Sequence, residues 1–69
     1  MAISYNPLWK LLIDRGISKT DLRISVGMST TTLARMGKNI PVGLDTIEKI
    51  CNTLHCAVED VVVITDSTL

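Results

Sequence analysis

Between Ile17 and Asn39 the chain gathers side chains that carry positive charge or form hydrogen bonds: Lys19, Arg23, Thr30, Thr31, Arg35 and Lys38, with Asp21 as the one acid of the stretch. If Leu22, Val26, Met28 and Leu33 face inward, those polar residues share the outside. Such a surface suits an anionic partner rich in hydrogen-bonding groups. A second grouping, Cys51, His55 and Cys56, holds soft ligands. Its spacing matches no common zinc pattern and it lacks a fourth ligand, so no metal and no cofactor are expected and both thiols should be buried and reduced. Catalysis is not expected either. The chain has one histidine, no glycine-rich phosphate loop, and a Cys51 and His55 pair with no third group to orient it.

The elements that must position the polar surface can be read from their ends. Ser18 followed by Asp21 is close to a capping box, so a helix should begin at Lys19. Gly27 offers the positive φ of a sharp turn after Val26. Ser29 then caps a second helix from Thr30 to about Met36, closed by Gly37. Upstream, Met1 to Tyr5 reads as extended or frayed. Asn6 as N-cap and Pro7 at the first helical position open a helix over 7–15 that Gly16 ends. Leu8, Leu11 and Leu12 give it an apolar stripe, with Ile13 beside them and Trp9 as core or core edge. Downstream, Pro41 excludes helix at Ile40 and leaves 38–42 as a loop. Gly43 takes the N-cap place of a scaffold helix from Leu44 to about His55, whose stripe is Leu44, Ile47, Ile50, Cys51 and Leu54.

A short helix, a turn containing glycine and a second helix with polar residues at its start form the helix-turn-helix pattern. Leu22, Gly27, Met28, Ser29, Leu33, Gly37, Lys38 and Asn39 resemble the core of the small Cro-like, xenobiotic-response-element class of transcriptional regulators. The flanks LWKLLIDRG and LDTIEKICNTLHC extend the resemblance over nearly the whole chain. Arg23 departs from it, standing where the family usually has a small residue. The resemblance implies an all-α, lambda-repressor-like domain of four to five helices over 1–69, with its helix-turn-helix core at 18–37, binding double-stranded DNA through the major groove. By the same motif match, Thr30, Thr31 and Arg35 would reach base edges. There the Arg35 fork suits guanine O6 and N7, and the threonines can hydrogen-bond or lay a methyl against thymine. Ser18, Lys19, Lys38 and Asn39 would hold phosphates. Three β-branched threonines in a row are poor helix formers, and such a local inconsistency is expected at a functional site.

Net charge is zero, but its distribution is not even. Residues 1–40 carry six cations and two acids, whereas residues 41–69 carry one cation and five acids. A positive half that coincides with the helix-turn-helix is what phosphate neutralisation needs. With one Trp, one Tyr and no Phe, the core must be aliphatic, and no aromatic platform exists for stacking single-stranded bases. No apolar run is long enough to span a membrane, the first residues do not resemble a signal peptide, and a cytoplasmic protein without a small-molecule ligand is expected.

The tail over 57–69 is ambiguous. Val61 to Thr65 is a β-branched run with strand propensity and two apolar faces. A strand without a partner would expose unpaired backbone, which predicts an antiparallel ribbon with a second subunit through Val61, Val62, Val63 and Ile64. The other reading is a fifth helix that covers the core of a monomer. Together these features predict a sequence-specific regulator, most simply a repressor that occupies its operator as a homodimer. The alternative is a protein-interaction module, antitoxin-like or polymerase-binding, on the same fold.

Overall fold

The computed structural model describes residues 2–65. Four helices, α1 (Asn6–Arg15), α2 (Lys19–Val26), α3 (Thr30–Gly37) and α4 (Leu44–Leu54), are followed by a 3₁₀ turn at Val58–Asp60. Two short strands, β1 (Ala2–Ser4) and β2 (Val63–Thr65), flank them at the two ends. The starts of α2 and α3 follow from side-chain caps. Ser18 Oγ accepts the Asp21 N–H at 3.0 Å, and Ser29 Oγ accepts the Thr32 N–H at 3.1 Å. Helix α1 begins otherwise than the sequence suggests. Tyr5, not Asn6, occupies its N-cap, and the Asn6 N–H donates instead to Ser4 Oγ at 3.2 Å. Strand β1 brings that hydroxyl to the helix start.

All four helices stop in the same way. The residue after a left-handed one donates its N–H to the carbonyl five residues back: Ile17 to Leu12, Met28 to Arg23, Ile40 to Arg35 and Cys56 to Cys51, at 2.9 to 3.1 Å. This is the six-to-one bond of the Schellman motif, and in each case the donor is apolar or a thiol. The left-handed residues are Gly16 and Gly27, and then Asn39 (φ 57°) and His55 (φ 53°). Gly37 therefore does not close α3 through a positive φ, and α4 ends one residue before His55. Arg15 ties two of these ends together, because its guanidinium donates to the Leu54 carbonyl in the last turn of α4.

The core consists of Tyr5, Leu8, Leu12, Leu22, Met28, Met36, Ile47, Ile50, Leu54 and Val61. Val26 and Leu33 pack half-buried against it, as do Trp9, Leu11 and Cys51. Leu44, by contrast, is 82% exposed, so the buried stripe of α4 begins at Ile47.

The tail differs from the sequence reading. Strand β2 pairs antiparallel with β1 of the same chain, in the register Ala2↔Thr65, Ile3↔Ile64 and Ser4↔Val63. Val61 is fully buried in its own core and Val62 is half-buried against it. The premise of the expected ribbon, a strand with no partner at home, is thereby corrected. The first residues of the chain supply the missing backbone partner, and Val61 has a place to be buried. The other reading, a fifth helix, gives way to the 3₁₀ turn at Val58–Asp60. Residues 66–69, the end of the supposed dimerisation segment, lie outside the described residues.

Candidate nucleic-acid interface

Helix α3 has a polar face because its three threonines do different things. Thr32 is half-buried, and its amide and hydroxyl both meet Ser29 Oγ, the hydroxyl at 3.0 Å. It belongs to the cap. Thr30 and Thr31, two and one residues earlier, are exposed. Arg35 is exposed one turn beyond Thr31, in the last turn of α3. Met36, which is fully buried, anchors the opposite side of the same helix. Thus α3 is held by Leu33 and Met36 while Thr30, Thr31 and Arg35 point away from the core.

The expected phosphate contacts lie at the ends of α2 and α3. The Ser18 hydroxyl already accepts the Asp21 N–H but retains its own proton to donate. Lys19 holds its ammonium 4.3 Å from the centre of the Trp9 ring. That contact assigns half-buried Trp9 a second role besides packing, since the ring face attracts the cation and limits where the side chain can swing. Lys38 is exposed just past the end of α3. Asn39 is exposed in the left-handed conformation, and its Oδ1 accepts the Tyr5 N–H at 3.1 Å. The donor of that bond is a main-chain N–H, which fixes the amide oxygen inward and leaves Nδ2 outward, able to donate. Arg23, the departure from the family pattern, is half-buried, and its carbonyl receives the Gly27 and Met28 amides that close α2.

Tyr5 was missed as part of this surface. It is buried, yet its hydroxyl donates to the Ile40 carbonyl at 3.0 Å, so its partners belong to the loop after α3. Burial pushes its phenol above the ordinary range, while a hydrogen bond from the Val42 main chain pulls the other way. Nothing local in the sequence marks a contact across 35 residues.

Cys51 and Cys56 are free and half-buried. Burial, above all, and then the neighbouring Cys51 thiol push the Cys56 thiol up, with Asp60 adding to the effect and Arg15 opposing it. Such a thiol is mostly protonated at neutral pH and is a poor nucleophile.

Comparison with known proteins agrees with this arrangement. No curated protein matches the chain. A solved structure, the crystal structure of the transcriptional regulator VanUg, is similar, with 47% identity and a TM-score of 0.88 over 90% of this chain and 83% of that one. The family described as the Cro/C1-type helix-turn-helix DNA-binding domain matches residues 7–67. With two serine-capped helices joined at Gly27 and that match spanning most of its length, the chain belongs to the Cro/C1-type helix-turn-helix family.

Proposed function

We propose that this protein is a sequence-specific transcriptional regulator, most simply a repressor, that binds double-stranded DNA in the cytoplasm as a homodimer and reads the major groove with α3. One observation carries the reading: Thr30, Thr31 and Arg35 are presented outward on α3 while Thr32 is kept for the cap. Arg35 would read a guanine, the two threonines the neighbouring base edges, and Ser18, Lys19, Lys38 and Asn39 Nδ2 the flanking phosphates. Charge placement supports it, because Asp21 is the one acid within 17–39. Assembly would use the Ile64 face of the small sheet. Ile64 is exposed there and lines a shallow groove with Ile3 and Pro41, bordered by Lys38 and Asn39, while Val63 projects from the opposite face.

Selection of bound duplexes from a random pool tests the reading, followed by a salt titration on the selected site. A palindromic site is expected, with half-sites about 34 Å apart. With about four phosphate contacts per subunit, log affinity should fall against log salt with a slope near −7 for the dimer, at about −0.9 per contact. No enriched site, or affinity indifferent to salt, overturns it. The second reading is the protein-interaction module, and the exposure of Ile64 (67%) favours it. DNA affinity of the unsubstituted chain separates the two, since the interaction module selects no duplex from the random pool.

A further inference from the structure

We infer that Tyr5 is a positioning residue for DNA binding: it straps the loop after α3 into the shape that offers Lys38 and Asn39 to phosphate. The inference rests on the DNA-binding reading above.

Two contacts converge on this one residue. Its main-chain N–H donates to Asn39 Oδ1 at 3.1 Å, and its hydroxyl donates to the Ile40 carbonyl at 3.0 Å, just before Pro41. Tyr5 thus grips two successive residues of the loop, one through its main chain and one through its side chain. From the other direction the loop is fixed by the end of α3, where the Asn39 and Ile40 amides donate to the Met36 and Arg35 carbonyls at 3.0 and 2.9 Å. Asn39 itself sits at φ 57°, a conformation that costs a non-glycine residue energy and needs holding.

Tyr5 in turn cannot shift freely. It is 1% exposed, its ring belongs to the core, and its carbonyl accepts the Trp9 N–H at 3.1 Å in the first turn of α1. The strand just before it is paired to β2. The two ends of the described chain therefore hold a loop in its middle. Lys38 and Asn39 are exposed on that loop, beside the cation-bearing end of α3. A phosphate-binding loop ordered before DNA arrives avoids the ordering cost that a slack loop meets on binding.

Tyr5→Phe keeps the ring in the core and removes the hydroxyl's contact with the Ile40 carbonyl. Binding to the selected duplex and to random duplex should weaken alike, by about three- to ten-fold, the size of one neutral hydrogen bond. The salt slope should become shallower by about one per subunit as the Lys38 contact is lost. Amide exchange at Asn39 and Ile40 should quicken, while Leu22 and Ile50 in the core stay protected. A mere loss of stability would lower affinity without changing the salt slope. A double-mutant cycle with Lys38→Ala isolates the mechanism, because any partial unfolding caused by Tyr5→Phe is common to both backgrounds and cancels. In the Lys38→Ala background Tyr5→Phe should alter the slope no further. Tyr5→Phe that binds with unchanged affinity and slope, or that costs the same in both backgrounds, overturns the strap. Failure of the unsubstituted protein to bind any duplex at low salt instead overturns the DNA-binding reading, and the strap with it.

Discussion

Arg35 and Lys38 are three residues apart on the same exposed side, yet their removal should have different consequences. Arg35 lies within α3, where a guanidinium fork can meet two acceptors of one base, whereas Lys38 lies past the helix end, where a point charge meets the backbone. Arg35→Ala should cost about 1 to 3 kcal/mol on the selected site, little on random DNA, and relax the preference at one base pair. Lys38→Ala should weaken all duplexes equally. Both side chains are exposed, so neither substitution should move the melting temperature much. Equal losses of Arg35→Ala on selected and random duplexes would place Arg35 on phosphate. Two other residues link structure to pH. Tyr5 and Cys56 both have acidic protons held more tightly in the folded chain than in the unfolded one. Below the ordinary thiol value of 9.0 both states keep them, and stability is complete. As pH rises past it, the unfolded chain ionises first, so stability should fall on the alkaline side. Urea midpoints measured from about pH 7 to 10.5 should decline, and Cys56→Ser should flatten part of the decline.

Each helix ends by the same bond, but only half of those endings could be read from the sequence. Gly16 and Gly27 announce a left-handed turn because glycine adopts it without strain. Asn39 and His55 adopt it less freely than glycine, although Asn tolerates it best among the other residues, and Gly37 stands two residues before Asn39 as a competing signal for the end of α3. What was legible was local: the serine caps at Ser18 and Ser29, and the apolar spacing that turns Leu22 and Met28 inward and leaves Thr30, Thr31 and Arg35 outside. What was not legible was distant in sequence. Strands of three residues at opposite ends of the chain carry no periodic signal, so neither the pairing of Ile3 with Ile64 nor the reach of Tyr5 to Ile40 could be seen. The αL ending at His55 is directly testable. Relief of a left-handed residue is worth about 1 to 2 kcal/mol, against about 0.5 to 1 kcal/mol for the extra freedom of glycine in the unfolded chain. His55→Gly should therefore stabilise the protein by up to about 1 kcal/mol, raising the melting temperature by a few degrees. His55→Val should lower it, since a β-branched residue tolerates that conformation least. A loss of stability in the glycine variant would mean that the His55 side chain contributes more than its backbone strain costs.

For the molecule as a whole, internal pairing of the tail changes how self-association must be tested. Removing everything after Asp60 would delete Val61 from the core and β2 from the sheet, so such a chain would lose stability whether or not it dimerises. Single substitutions separate the two roles. Val61→Asp puts an unpaired carboxylate into a fully buried site and should unfold the protein. Ile64→Asp places the same charge on a side chain that is 67% exposed, and the Thr65 hydroxyl bond to the Ala2 carbonyl at 3.1 Å beside it can persist. Its melting temperature at high dilution should barely change. If the proposed dimer uses the Ile64 face of the sheet, sedimentation should show Ile64→Asp shifted to monomer at concentrations where the unsubstituted chain is dimeric. Affinity for a palindromic duplex should fall with it, whereas the neutral Ile64→Gln, which puts no carboxylate beside Lys38 in the same groove, should retain affinity for a single half-site, because each α3 still carries Thr30, Thr31 and Arg35. If Ile64→Asp sediments as the unsubstituted dimer does, the interface lies elsewhere. The exposed apolar residues Ile13 (78%), Ile24 (64%) and Leu44 (82%) would then be the next positions to substitute.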